Sequence, residues 1–343
     1  MTSHDRPLLA FAGPAGVPAE ALQMAVDAGL LPVALAHVAG ADHEQMLRIT
    51  IATLASDLLC VVLPCSVGLD PATTELWRAA EDAGLPRAVL VTDLAADAPD
   101  FADLAAIAAR ALGPECVPVR LPVWSDDHLP VASLGLAELT ISGPDGVLAA
   151  DPEHAQAAAE DRAVLVDHLA VLADDGFAAS VSAGITPSSI ARAIRGPVLS
   201  GELAPVLPAS TDGAWAVDLA DALQRLEAAD DGQHIPGPSD RLVRRDAIGD
   251  PCVGSAAVVM AVEADGTLAV REVFGRLPQE GVAVVTSSMP GMDGSAAPFR
   301  SWPTMLEILD GPTDGLVRVR SVLAAHPGEA LADSQVWLAP VRA

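Results

Sequence analysis

The chain contains no lysine, no asparagine and no tyrosine, so all 19 of its basic residues are arginine. Each absence removes chemistry. No lysine can reach a nucleotide phosphate or form a Schiff base, and no asparagine side chain can read a base edge. The codons of all three are A/T-rich, so a high-GC coding sequence accounts for the bias. Positive charge is scarce as well: 46 acidic residues against 19 basic ones leave a net charge of -27. That balance argues against a broad nucleic-acid or anionic-membrane surface, because such partners need clustered cations, and neither DNA nor a membrane is expected as a partner. Cysteine is limited to Cys60, Cys65, Cys116 and Cys252, in apolar stretches without CxxC spacing. Buried free thiols are expected rather than disulfides or a metal cluster. No apolar run is long enough to span a bilayer, and the opening MTSHDRPLLAFAG lacks a basic region of signal-peptide type. A soluble, cytoplasmic protein is expected.

What is present is enough for a sizeable core: 343 residues, 51% hydrophobic, room for about two domains. Up to about Leu226, short apolar runs alternate with Ala-rich stretches of helical spacing. Arg6 to Ala12 reads as a strand followed by a Gly/Pro turn and a helix to about Ala28, and Pro32 to Ala36 as a second strand. Leu58 to Leu63 and Arg87 to Val91 are continuous apolar runs of buried-strand type, followed by helices over Pro71 to Ala83 and Phe101 to Leu112. Val117 to Leu121 gives another strand. Repeated β-then-α units predict an α/β fold, a doubly wound and mostly parallel sheet. Asp126 to Pro152 reads as a small β insertion, Pro152 to Ala173 as one helix, and Thr186 as the cap of another with Pro187 in its first turn. Val206-Leu207 closes a further strand, and Trp215 to Leu226 is a helix.

A boundary is expected in Ala228 to Asp250, which is rich in Asp, Gly and Pro. Beyond it the period switches to two. Ser255 to Val262, Thr267 to Phe274, Gly281 to Thr286, Leu316 to Val322 and Gln335 to Leu338 read as about five short strands of a small all-β barrel.

From Leu58 to Val123 the sequence LLCVVLPCSVGLDPATTELWRAA, then RAVLVTDLA, then VPVRLPV resembles the G domain of translation elongation factor G, closest to actinobacterial paralogues of the factor. The first part is similar to the family's "GVxPxTexxWrxA" helix, the second to its guanine-specificity strand, the third to its "vPvqLP" strand. SGELAPVLPAST is similar to the family's "PVlxgSA" strand, GTLAVREVFGRLPQEGVAV to its β-barrel second domain, and PGEALAD to that domain's "tGDtLad" turn. The resemblance implies a P-loop-GTPase-like sheet followed by a β-barrel. It divides the chain into a degenerate G-like domain over 1–228, a linker over 229–250 and a domain-II-like barrel over 251–343.

The chain departs from the family at each position the chemistry uses. The phosphate loop corresponds to Gly13-Pro14-Ala15-Gly16-Val17-Pro18-Ala19-Glu20, where two prolines remove N–H donors, Val17 or Pro18 stands where lysine belongs, and Glu20 brings negative charge. The base-reading NKxD is replaced by Thr92-Asp93-Leu94-Ala95, with Asp93 in the place of the lysine. Ser210 alone survives of the family's "SA". The stretch between Gly16 and Leu54 is too short for the first switch loop, no DxxG precedes Leu58, and no sequence follows the barrel for the later domains. The residues thus predict a pseudo-GTPase: not an enzyme, with no catalytic residue, no cofactor and no metal, acting by binding a protein partner such as the ribosome or a translation factor. Gly13, Gly16, Thr92, Asp93 and Ser210 mark its degenerate nucleotide site. The other reading is an atypical GTPase that binds GTP or GDP with magnesium and uses an arginine such as Arg48 for the missing lysine. Oligomeric state is left open.

Three other groups carry two readings each, and two more carry one. His37, Asp42 and His43 are two or three metal ligands or a polar loop. Arg241, Arg244 and Arg245 are a phosphate or RNA contact or a solvated linker. Trp302, Met305 and Leu306 are a docking patch or packed core, and Asp126-Asp127-His128 and Asp174-Asp175 read as exposed turns. Ser66 and Ser210 lack a His/Asp arrangement for acyl transfer.

Overall fold

The structure is a computed structural model. It describes residues 7–34 other than 16, then 38, 49, 53, 56–95, 100–125, 129–143, 146–172, 186–224, 256–262, 265–274, 282–286, 300–304, 306–313, 316–321 and 330–333. Six strands make the first sheet: β1 (Leu8–Ala12), β2 (Leu31–Ala34), β3 (Leu58–Pro64), β4 (Arg87–Thr92), β5 (Cys116–Pro118) and β10 (Ala204–Pro208). Their order is β2-β1-β3-β4-β10-β5, and every pairing is parallel. Parallel strands covered on both faces need apolar residues at every position. LLCVVLP and RAVLVT meet that demand, and all positions of β3 and β4 are buried, Arg87 included.

Alternation along the strands builds two cores. Leu59, Val61, Leu63, Val89 and Val91 face α2 (Pro71–Asp82) and α3 (Phe101–Ala111), whose Leu76, Trp77, Phe101 and Leu104 are nearly or wholly inaccessible. Leu58, Cys60, Val62, Ala88 and Leu90 face the other way, toward α1 (Ala19–Asp27), α5 (Ala159–Leu172), α6 (Pro187–Ser200) and α7 (Ala214–Gln224). There the Phe11 and Trp215 rings meet edge to face at 6.1 Å. Helix starts follow the chemistry of their caps. The Asp70 carboxylate accepts from the N–H groups of Ala72 and Thr73 ahead of α2, and Thr186 with Ser189 forms a capping box ahead of α6.

Two elements differ from expectation. The strand expected over Val117 to Leu121 is two: β5 ends at Pro118, and β6 (Arg120–Trp124) starts a separate antiparallel sheet with β7 (Pro130–Gly135), β8 (Thr140–Gly143) and β9 (Gly146–Ala149). This is the β insertion, enlarged by one strand. The helix expected over Pro152 to Ala173 is α4 (Pro152–Ala157) and α5, broken at Ala158, which turns its backbone N–H to the His154 carbonyl as the last cap of α4.

The third sheet is antiparallel and holds β11 (Ala256–Val262), β12 (Leu268–Phe274), β13 (Val282–Thr286), β14 (Arg300–Thr304), β15 (Leu306–Thr313), β16 (Leu316–Ser321) and β17 (Ala330–Asp333). Their order is β14-β13-β17-β11-β12-β16-β15. The α/β domain followed by a β domain is therefore the architecture. Three strands were missed by sequence patterning: β14 and β15 carry proline or glycine (RSWPT, LEILDGPT), the residues that lower a strand reading, and β17 is only four residues long. The strand expected at Gln335 to Leu338 lies outside the described residues, as does the linker over 229–250.

Candidate functional site

In an open parallel sheet, ligands bind beyond the carboxyl ends of the strands, where the chain leaves neighbouring strands in opposite directions. Here that point lies between β1 and β3. From β1 the chain passes through α1 on one face to β2, and from β3 through α2 on the other face to β4.

Gly13 sits at this point. It follows the Ala12 to Val61 pairing, and a Cβ built on it would lie 2.5 Å from the Val62 carbonyl oxygen and 3.1 Å from Val62 Cβ. Only glycine lets the turn cross β3 so closely. Gly16 lies outside the described residues. Pro18 precedes α1 without a side-chain cap, its carbonyl accepting from Ala21 and Leu22. The N–H groups of Ala19 and Glu20 therefore have no partner among the described residues and point along the helix axis toward the turn. Glu20 sets a negative charge in that same first turn.

The ends of β3 and β4 are joined beyond the sheet. Cys65 donates its N–H to the Thr92 carbonyl at 3.0 Å, and Ser66 Oγ donates to Asp93 Oδ2 at 3.0 Å. Asp93 is left-handed, with φ 56°, one of two non-glycine residues so placed among those described. Asp tolerates that region because its short side chain bonds locally. The neighbouring Cys65 thiol is pushed up to about 11, first by burial and then by the Asp93 charge. Cys60 and Cys116 are also free and buried, and burial raises both. Cys252 lies outside the described residues.

Two consequences follow for these thiols. Asp93→Asn, which keeps the left-handed backbone accessible, is expected to speed alkylation of Cys65 at pH 9 by roughly three- to tenfold, read by mass spectrometry. Because the folded thiol ionises above its ordinary value of 9.0, stability is fully present below pH 9 and falls between pH 9 and about 11. A urea midpoint followed through that window checks the sign.

Ser210, carried over as the base-side serine, is wholly buried. Its hydroxyl donates to Asp212 Oδ1 at 2.6 Å, and the same oxygen accepts from the Ala214 N–H at the start of α7. Asp212 Oδ2 accepts from Ser133 Oγ at 2.8 Å, Arg120 Nη1 reaches Ser133 Oγ at 3.2 Å and Ser142 Oγ at 3.3 Å, and the Arg120 fork closes on Asp218 through Nε to Oδ2 and Nη2 to Oδ1, the latter at 2.9 Å. Thr211 is pinned to β7 through its N–H to the Pro130 carbonyl and its Oγ1 to the Val131 carbonyl, both 3.3 Å. Sequence reasoning missed this network. Asp212-Gly213 ahead of an Ala-rich run is a readable helix-start signal. Arg120 and Asp218 lie 98 residues apart, and no local pattern joins them.

The structure thus brings Gly13, Thr92, Asp93 and Ser210 to one edge of one sheet. Among the described residues no group of three or more His, Cys, Asp or Glu could hold a metal. His37, Asp42, His43, the Asp126 to His128 turn, Asp174-Asp175, the Arg241 to Arg245 cluster and Met305 lie outside the described residues. Trp302 pairs with Val284 inside the third sheet, and Leu306 opens β15. No described helix is long and apolar enough to cross a membrane.

No family profile matches the chain. Among curated proteins, 191 residues are 28% identical to elongation factor G 2 of Hahella chejuensis, over 52% of this chain and 26% of that protein. The similarity is to elongation factor G. A second relative, the mitochondrial ribosome-releasing factor 2 of Culex quinquefasciatus, is 25% identical over 250 residues, 68% of this chain and 32% of its own length. The elongation-factor-G-like chain therefore spans about a quarter to a third of the curated relatives it matches. Among solved structures, ttk003000868 of Thermus thermophilus superposes with TM-score 0.50 and 17% identity, over 98% of this chain and 56% of that one, a likeness of fold.

These relatives correct two expectations. The chain was expected not to be an enzyme and to take no cofactor. Its similarity to translation factors points instead to a GTPase family, for which GTP or GDP with magnesium is the ligand. Motif loss was the premise of the rejected reading. Motifs report side chains, whereas much of a phosphate cradle is backbone N–H.

Proposed function

We propose that the chain is a translation-related, GTP-binding protein of elongation factor G type with an atypical nucleotide site. The observation that carries this is the similarity to elongation factor G 2, taken with a Gly13 turn at the switch point of a parallel sheet. The fit of a guanine nucleotide to the described residues is partial. The Ala19 and Glu20 N–H groups supply phosphate donors, and the Asp93 and Ser210 turns flank the base end. Glu20 opposes the phosphates, so a cation must come from elsewhere. Arg48, outside the described residues, is the candidate, arginine being a competent phosphate ligand. Magnesium bound with the nucleotide would offset part of the phosphate charge. The domains are proposed as a G-like domain over 1–228, a linker over 229–250 and a β domain over 251–343. The partner is the ribosome or a translation factor, met in the cytoplasm.

Titration of fluorescent GTP and GDP with magnesium tests the nucleotide half. Saturable binding that excess ATP does not displace is expected, with Arg48→Ala weakening it by about tenfold or more, the effect of losing a charged phosphate contact. No saturation up to millimolar nucleotide would overturn the reading. Co-sedimentation with ribosomes at low and moderate salt tests the partner.

A further inference from the structure

The second sheet ends on an unprotected edge. Its order is β6-β7-β8-β9, so β9 has β8 on one side and no strand on the other among the described residues. The Ala150 N–H donates to the Leu139 carbonyl at 2.8 Å, one step beyond the Thr140 to Ala149 pairing. Antiparallel bonding alternates, so Leu148 and Gly146 also turn their backbone groups to β8, and the N–H and carbonyl groups of Val147 and Ala149 face outward. A further strand would pair with those groups. Sheet edges are usually blocked by a charge, a proline or a bulge. GVLA has none of these, and its pairing with β8 is unbroken from Thr140 to Gly143.

Two cross-strand rows of side chains run out at this edge. On one face Leu134, Ile141 and Leu148 lie side by side, and on the other Ser133, Ser142 and Val147. Leu134, Ser133 and Ser142 are buried and Ile141 is half-buried, whereas Val147 and Leu148 are 67% and 62% exposed. Neighbours along a strand point to opposite faces, so each face presents one bare aliphatic side chain at the edge. A helix laid on one face would cover only one of them. An added strand extends both rows and covers both.

Charge selects the occupant. β9 itself is uncharged, and the chain leaves it into Asp151 and Glu153, both exposed. A second copy would bring the same strand, the same two acids and another net charge of -27, so like charge would face like. A strand that is aliphatic in its middle and carries arginine or lysine at its ends answers both the apolar side chains and the acids. We propose that β9 is the docking edge for an extended, basic-ended segment of a partner protein, which joins this sheet as a further strand. Gly13, Thr92, Asp93 and Ser210 lie outside the sheet that β9 ends, so the test needs no nucleotide and its outcome is separate from the nucleotide reading.

The probe is the fluorescein-labelled peptide RTVVVTR, titrated with the full chain and read by fluorescence anisotropy. Saturable one-to-one binding below millimolar concentration is expected. The same peptide N-methylated at its valines, which cannot donate to β9, should bind about tenfold weaker or worse, and so should ETVVVTE, which reverses the charge of the ends. Val147→Pro removes an outward donor and leaves the bonds to β8 in place, so it should weaken RTVVVTR by about tenfold while the melting temperature stays within a few degrees. Should that variant not fold, Val147→Lys sets a cation on the edge and should weaken the peptide by about the same factor. The proposal is overturned by absence of saturation at millimolar concentration, by equal binding of the N-methylated or the glutamate-ended peptide, or by a dimer in sedimentation that Val147→Lys dissociates.

Discussion

Replacing Arg87 by methionine is expected to lower the stability of the α/β domain by about 3–5 kcal/mol, the cost of removing one partner of a buried ion pair. The side chain is 3% exposed at the start of β4. Its Nη1 lies 3.2 Å from Glu115 and 3.6 Å from Glu81, its Nη2 donates to the Gly201 carbonyl at 3.0 Å, and its guanidinium lies 4.7 Å from the centre of the Trp77 ring. One residue thus ties α2, β4, the approach to β5 and the end of α6. Methionine keeps most of the stem's packing and leaves Glu115, 14% exposed, without its cation. A fall in melting temperature on the order of 10 °C should follow. The double variant R87M/E115Q should recover part of the loss, because no uncompensated charge is then buried. If R87M melts within a degree of the parent, the ion pair is not the anchor described.

Gly13→Val should be the most damaging change at the site itself. Even the Cβ of alanine would fall 2.5 Å from the Val62 carbonyl oxygen, so β1 must move off β3 at the centre of the sheet. Overpacking of this kind costs about 1–3 kcal/mol for alanine, and valine exceeds that range. Gly196→Ala is the matched contrast. Gly196 lies within α6 directly before Pro197; apart from its chain neighbours nothing stands within 4 Å of its added Cβ, but the proline ring crowds a Cβ on the preceding helical residue, so alanine there should change stability by less than about 1 kcal/mol. Chemical denaturation of the parent, G13A, G13V and G196A reads the contrast in one series. Should G13A unfold at the parent's midpoint, the close approach of β1 to β3 is wrong. On the nucleotide reading, G13A should also lose GTP affinity beyond what its lower stability explains, since the turn sets where the Ala19 and Glu20 N–H groups point.

The parallel strands were readable because burial on both faces leaves a continuous apolar run, as in LLCVVLP and RAVLVT. The helix start at Thr186 was readable because a cap is a local contract between neighbours. Elements whose residues carry mixed signals were not. β14 and β15 contain Pro303 and Gly311 with Pro312, and Pro122 sits inside β6, so patterning passed over them or merged them with neighbours. The site was legible as a set of positions after strands. Its chemistry was misjudged, because the reading weighed the lost side chains and the two prolines and left out the N–H groups of Ala19 and Glu20 at the start of α1.

By itself the sequence determined the α/β class, the alternation of the buried parallel strands with their helices, the switch to antiparallel pairing beyond the Asp/Gly/Pro-rich stretch, and the absence of any lysine or asparagine for nucleotide recognition. Each is a property of composition or of neighbours within a few turns, where backbone periodicity and local hydrogen bonding act. Only the tertiary structure decided that Gly13 lies against Val62, that Ser133 reaches Asp212 and that Arg120 reaches Asp218. Those contacts join residues far apart in the chain. They are set by which strand lies beside which and how helices cross the sheet, and no local pattern of residues encodes that.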